Sequence, residues 1–382
     1  MNMKKILAIL CALVLIISTT SALADLKDYK VVTSSETTKV ILDTDMGYFG
    51  DDTYALMILL QADAAGYIDL LGITATGANV TIAEGTCAIL NQLEYFGRTD
   101  IPVYMGTDVP LCGFRSDDEL TTYGMNRIKS MKKVMKYGDT IAWNDLKDLK
   151  NETWGYPKTI APQDKPSWQF MIDAVNENPG KVVIMSIGAC TNIATACMAD
   201  RNFAAKTAGI YYMGGSIDVP GNDTPCAERN FYYDVESVNI CLNSAFPKQV
   251  IVPNDISYYQ RLDIDKVKAM ANSGDTKYNQ AIKEFAVPVF EKDPERKQRL
   301  WDAQVPGILI CPELISKTDV RDVQIQTDLG ITYGETVAWQ NGTGNENYHG
   351  PATSTTCTIV YDVDGQRYWS WVAELLGTDF SK

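Results

Sequence analysis

The chain has 382 residues, a formal net charge of −14 and a single histidine. Such acidity excludes a nucleic-acid backbone as the main partner, because that binding needs clustered cations. The length allows one large α/β domain or two.

The chain opens on Lys4-Lys5, an apolar stretch from Ile6 to Ile17, and the small-residue site Ala22-Leu23-Ala24. This pattern predicts a secretory signal over residues 1–24, too short for a settled transmembrane helix. The expected location is therefore periplasmic or extracellular, and no later run reaches membrane-spanning length. Cys11 lies in the signal. The other cysteines are free to pair in an exported chain. Cys87, Cys197, Cys241 and Cys311 have apolar neighbours and read as core residues, with their redox state open.

Val40-Ile41-Leu42 predicts the first strand. The loop Asp43-Thr44-Asp45-Met46-Gly47-Tyr48-Phe49-Gly50-Asp51-Asp52 follows, and then a helix carrying Ala55 to Leu60. Ile68 to Ala75 predicts a strand, Thr81 to about Tyr95 a helix, and Ile101 to Met105 a strand. The stretch from about Leu111 to Trp168 breaks the rhythm and reads as an insertion or lid. A helix at Ser167 to Asn176 then precedes a strand at Lys181 to Met185. Thr191 opens a helix through Met198, Ala208 to Met213 is a strand, and Val235 to Ser244 is a helix capped by Asp234. Gln249 to Val252 is the next strand. The tail from Asp319 is strand-like and turn-rich, with a turn expected at Asp364-Gly365. Repeated β-then-α units imply an α/β fold with a mostly parallel central sheet and helices on both faces. One such domain is expected over residues 25–382.

Sheets of this kind carry their sites outside the strand carboxyl ends. The acidic loop falls there, as do Thr76 to Asn79, Ser186 to Asn192 and Gly214-Gly215. Four acids at one strand end repel one another unless a cation sits among them, and a hard cation such as Ca²⁺ fits oxygen donors best. Asp43 and Asp45 are expected to face different sides, Asp45 toward the cleft and Asp43 bracing the loop. Asp51 and Asp52 stand where a helix begins. The stretch Asn222 to Asp234 holds Asn222, Glu228 and Asn230, groups suited to vicinal hydroxyls. Asp302 by itself reads as a helix cap.

Together these residues resemble the inosine–uridine-preferring nucleoside hydrolase family. The resemblance rests on Asp43, Asp45, Gly47, Asp51 and Asp52, on Gly188-Ala189-Cys190-Thr191-Asn192, on Met213-Gly214-Gly215, on Asn222, Glu228, Asn230 and Asp234, and on Asn79 and Asp302. It runs from about Val40 to Ile310, excluding much of Leu111 to Trp168. It implies the family's open sheet and a Ca²⁺ held by Asp45, Asp52, Asp302 and the backbone carbonyl of Thr191. Asp45 is then also the catalytic base, taking a proton from the water that attacks C1′ of a ribonucleoside. Asp51, Asn79, Asn222, Glu228 and Asn230 bind ribose, and Asp43 supports the site from behind. The same resemblance implies homo-oligomer formation as an expectation, with no subunit interface legible in the sequence.

The family often carries His before its late aspartate to protonate the leaving base. Here that residue is Trp301, which stacks on a ring but cannot act as a general acid. His349 lies in a turn-rich tail. Base specificity therefore stays open. Hydrolysis of another N-riboside, such as nicotinamide riboside, and nucleoside or sugar binding without catalysis stand as the alternatives.

Overall fold

The computed structural model describes residues 29–31, 37–107, 109–111, 156–340 and 355–380. The expected signal, most of the expected insertion and His349 lie outside them. The strands are β1 (Thr38–Thr44), β2 (Ile68–Ala75), β3 (Val103–Tyr104), β4 (Val182–Ser186), β5 (Gly209–Met213), β6 (Gln249–Val252), β7 (Arg261–Leu262), β8 (Gln298–Arg299), β9 (Ile315–Ile325), β10 (Thr336–Trp339) and β11 (Thr355–Val363). A nine-stranded sheet has the order β10-β9-β11-β6-β5-β4-β1-β2-β3, and β7 and β8 form a separate ribbon. From β3 across to β11 the neighbours pair in parallel, while β9 and β10 add antiparallel pairs at one edge.

The helices between the early strands are α1 (Asp51–Ala64), α2 (Ile82–Phe96), α3 (Ser167–Glu177), α4 (Thr191–Ala199), α5 (Arg229–Tyr233) and α6 (Val235–Leu242). Short helices α7 (Ile256–Tyr259), α8 (Ile264–Asn272), α9 (Lys277–Ala281) and α10 (Val287–Lys292) follow, then α11 (Gln304–Ile310) and α12 (Gly365–Gly377). Strand alternation feeds two cores. Val40 and Leu42 pack with α1 and α12 on one face; Ile41 packs with α3, α4 and α6 on the other. Successive side chains of β1 thus bury in opposite directions, as the pleat requires. From Asp52 to Ala62, α1 is buried all round, which explains its continuous apolar run. Truncating a fully buried leucine there, such as Leu56→Ala, should cost about 2–5 kcal/mol.

Two expectations at the carboxyl end need correction. Asp364-Gly365 does not turn between strands. Asp364 accepts a hydrogen bond from the backbone N–H of Arg367 at 3.2 Å and caps α12. Asp302 is no cap either: Ala303 occupies that position on α11, and the Asp302 side chain is left for other work.

The connections run from β1 outward to β2 and β3, then return to β4 on the other side of β1. The order therefore reverses between β1 and β4. Adjacent loops diverge at such a switch point and leave a crevice at the strand carboxyl ends. Asp45 is the first residue beyond β1. No described helix is long and apolar enough to cross a membrane.

Candidate active site

A cavity of about 550 Å³ opens at the crevice, lined by residues that include Asp45, Tyr48, Asp51, Asn79, Asn222 and Glu228. Asn230, Arg229, Arg299, Trp301 and Asp302 complete its polar and aromatic wall. Loops after β1, β2 and β5 and the segment before α11 meet here. The sequence put these residues hundreds of positions apart; the sheet's switch point brings them together.

Asp43 and Asp45 do separate as expected, but pleat alternation is not the reason. Residues two apart on a strand share a face. They part because β1 ends at Thr44 and the chain turns. Asp43 stays fully buried, and its Oδ1 accepts the Thr74 hydroxyl at 2.6 Å and the Asn192 amide at 2.8 Å. The Asn192 amide also donates to the Ala75 carbonyl, and its oxygen accepts the Thr107 N–H. One asparagine thus ties three strand ends together. Burial pushes Asp43 up to about 7, against the pull of these two hydrogen bonds.

Asp45 Oδ2 accepts the backbone N–H of Asn79 at 2.8 Å. Ala78, just before it, has φ 146°, a region an alanine rarely adopts. Gly188 lies against the same aspartate: a Cβ there would sit 2.9 Å from the Asp45 backbone nitrogen and 2.6 Å from Thr76 Cγ2. Burial first, then the charges of Asp52 and Asp51, hold Asp45 well above the usual carboxylate range.

Carboxylate oxygens of Asp51, Asp52 and Asp302 lie within 4.8 Å of one another. The Thr44 hydroxyl donates to Asp52 at 2.5 Å. Burial, reinforced by Asp51, pushes Asp52 up to about 8. Asp51 is raised by burial, while contact with Asp302 and the Trp301 backbone N–H draw it back down. Asp302 is raised by burial and by the charges of Asp51, Asp52 and Asp45. Its Oδ1 is buried with no hydrogen-bond partner among the described residues. A packed set of hard oxygen donors, one of them orphaned, fits a divalent oxygen-seeking cation. Two of the expected ligands, Asp52 and Asp302, belong to this group. Asp51 joins the closest group, which Asp45 flanks. Thr191 stands in the first turn of α4, outside the cavity lining, with its carbonyl accepting the Thr195 hydroxyl at 2.7 Å and its own hydroxyl donating to Asp234 at 2.6 Å.

Glu228 lines the cavity but has structural duties. Its oxygens accept the backbone N–H groups of Gly215, Asn230 and Phe231, which caps α5. Burial nonetheless lifts it to about 7. Asn222 Oδ1 accepts the Arg229 N–H at 2.9 Å. The Asn230 amide donates to the carbonyls of Ile187 and Met213, each at 3.2 Å. Asn79 Oδ1 accepts from Arg229 Nη1 at 2.8 Å. Trp301 Nε1 donates to Asn254 Oδ1 at 2.8 Å, which fixes the indole on the cavity wall.

Sequence reasoning missed Tyr48, Arg229, Asn254 and Arg299. Asn254 follows β6, so the strand-end rule that found Asn79 reaches it too. Arg229 lies inside the asparagine-rich stretch already singled out.

Nine strands in this order, with a crevice of acids and amides at the switch point, define a nucleoside-hydrolase-type α/β protein. The chain matches the family described as inosine-uridine preferring nucleoside hydrolase over residues 40–370 and belongs to it. It is 31% identical over 353 residues to a protein named probable uridine nucleosidase 1 from Oryza sativa subsp. japonica, covering 88% of this chain and 96% of that one. Probable uridine nucleosidase 2 from the same organism is 28% identical over 236 residues, and that match spans 62% of each chain. A solved structure described as a plant nucleoside hydrolase, PpNRh1, superposes with a TM-score of 0.70 at 25% identity, covering 90% of this chain and 100% of that one.

Proposed function

We propose that this protein is an exported, Ca²⁺-dependent ribonucleoside hydrolase that cleaves the N-glycosidic bond and releases free base and ribose. The observation that carries this reading is the meeting of Asp45, Asp51 and Asp302 at one cavity, with Asp52 grouped beside them, whose wall also carries amides, aromatic rings and the arginines Arg229 and Arg299. The relatives named as uridine nucleosidases support a pyrimidine riboside as the first substrate to try. Export rests on the sequence of residues 1–24.

Asp51, Asp52 and Asp302 would hold the cation, with Asp45 beside them and the Thr191 carbonyl as a further donor. Bound Ca²⁺ supplies Lewis acidity, which lowers the pKa of a water and anchors sugar hydroxyls. Asp45, held in place by the Asn79 N–H, takes the proton from the attacking water. Departure of the base leaves positive charge on C1′ and the ring oxygen, which the surrounding carboxylates favour electrostatically. Asp51, Asn79, Asn222 and Asn230 align the ribose hydroxyls. A site that hydrogen-bonds the 2′-hydroxyl rejects deoxyribosides strongly. Glu228 keeps Gly215 and the start of α5 in register, and Trp301 offers the leaving ring a flat surface.

The test is incubation of residues 25–382 with inosine and uridine, with free base and ribose measured in Ca²⁺ and in EDTA. Ribose release that EDTA suppresses is the expected result. Tight nucleoside binding with no ribose released would overturn hydrolysis in favour of binding alone.

A further inference from the structure

Among the described residues, Arg299 faces the cavity without a counter-ion. Its guanidinium lies over the Tyr258 ring at 4.3 Å and makes no ion pair or hydrogen bond among the described residues. Arg98, Arg229, Arg321 and Arg367 each meet a carboxylate. The residue directly opposite Arg299 on the β7–β8 ribbon is Arg261, which has no carboxylate partner among the described residues either. Directly opposed residues of an antiparallel pair project to one face with Cβ atoms about 5 Å apart, and like charges there destabilise the pairing. A chain with 48 acidic residues against 34 basic ones has no shortage of counter-charges. Arg299 at the cavity wall, with a second arginine paired opposite it on the ribbon, is open to an anion.

The position of that wall narrows the ligand. Leu300 is fully buried, while Arg299 and Trp301 on either side of it both line the cavity. Alternation along an extended segment thus sets a guanidinium beside an indole. The Asn254 bond holds that indole still. A flat plate with a cation at its edge suits a heteroaromatic ring bearing a negative substituent.

We propose that Arg299, backed by Arg261, forms an anion subsite beside Trp301, and that the preferred substrate is an N-riboside whose leaving ring carries a carboxylate. The proposal rests on the riboside-hydrolase reading. In the reaction the C1′–N bond breaks and its electron pair stays on the ring nitrogen. Water oxygen bonds to C1′, and the water proton passes to Asp45 and then to solvent. The carboxylate takes no part in the bond changes; Arg299 binds it in ground and transition states alike.

The test uses nicotinate riboside and nicotinamide riboside as a matched pair. In both the ring nitrogen leaves as a neutral pyridine nitrogen, so neither needs a proton donor, and they differ only in carboxylate against carboxamide. Uridine and uridine 5′-monophosphate are assayed alongside, with Ca²⁺ present. The expected result is a kcat/KM roughly tenfold or more higher for nicotinate riboside. The gain should sit mainly in KM, vanish in Arg299→Gln, shrink in Arg261→Gln and return in part in Arg299→Lys. Free nicotinate should bind more tightly than nicotinamide by calorimetry, a readout independent of turnover. Equal kcat/KM for the pair in the wild type overturns the subsite, whatever the variants do. A preference for the 5′-monophosphate that depends on Arg299 moves the anion to the sugar end and overturns the leaving-ring assignment. Hydrolysis of uridine with no preference within the pair defeats this proposal alone, while hydrolysis of none of the four defeats the parent reading. If Arg299→Gln melts early, the wild-type pair and the nicotinate titration still decide.

Discussion

Asn79 joins the two halves of the cavity: its backbone N–H donates to Asp45 Oδ2 at 2.8 Å, and its side-chain oxygen accepts from Arg229 at 2.8 Å. The proposed base is therefore positioned by main chain, which a side-chain substitution does not remove. Asp45→Asn should fold and melt as the wild type does, and kcat should fall by roughly 10²–10⁴. Circular dichroism melting with steady-state kinetics on uridine checks both halves. A kcat within a factor of two of the wild type would remove Asp45 from the chemistry.

Asn79→Ala separates the same residue's two roles. The N–H to Asp45 survives, while Arg229 loses its acceptor. Turnover should persist with KM raised about tenfold, since a lost hydrogen bond to a charged group is worth about 1.5–3 kcal/mol when partly buried. A collapse of kcat with unchanged KM would place Asn79 in the bond-breaking step instead.

Gly188→Ala probes position without touching charge. Its new Cβ would sit 2.9 Å from the Asp45 backbone nitrogen, a contact that neither backbone can relieve cheaply. Overpacking of this kind costs about 1–3 kcal/mol and displaces what it touches. The variant should lose stability and kcat together. An unaltered kcat in a destabilised protein would show that Asp45 tolerates the shift.

The buried acids link stability to pH. Folding raises Asp43 to about 7 and Asp52 to about 8, both from an ordinary value of 3.8. An acid raised on folding binds more protons in the native than in the unfolded state, so stability falls as pH rises. The metal-free protein should therefore be most stable below about pH 4 with respect to these groups and lose that contribution progressively up to about pH 8. Added Ca²⁺ requires the ionised forms, so its stabilisation should grow over the same window. Melting temperatures from pH 4 to 8, with and without Ca²⁺, test this. A Ca²⁺ effect independent of pH would contradict it.

Much of this was legible in the chain. The apolar run of β1, the acidic loop and the apolar α1 announce a strand, a site and a buried helix, because burial and charge leave strong local patterns. Asp364-Gly365 shows the limit: an acid before glycine serves equally well as a turn or as a helix start, and the packing of Trp369 and Trp371 in the core decides for the helix. Asp302 was legible only through its resemblance to a known family, since its value comes from meeting Asp51 and Asp52 across the crevice. Arg299 left no signal. An arginine among Lys297, Gln298 and Leu300 looks like a solvated surface until the ribbon turns it toward the cavity.

The most direct test of the central claim is a calcium back-titration. Protein stripped with EDTA is assayed for ribose release from uridine as Ca²⁺ is restored, with bound metal counted in parallel. Activity should be absent in the stripped protein and rise with occupancy of a single site, and Asp302→Ala should abolish both. Full ribose release by protein that holds no metal would contradict the account.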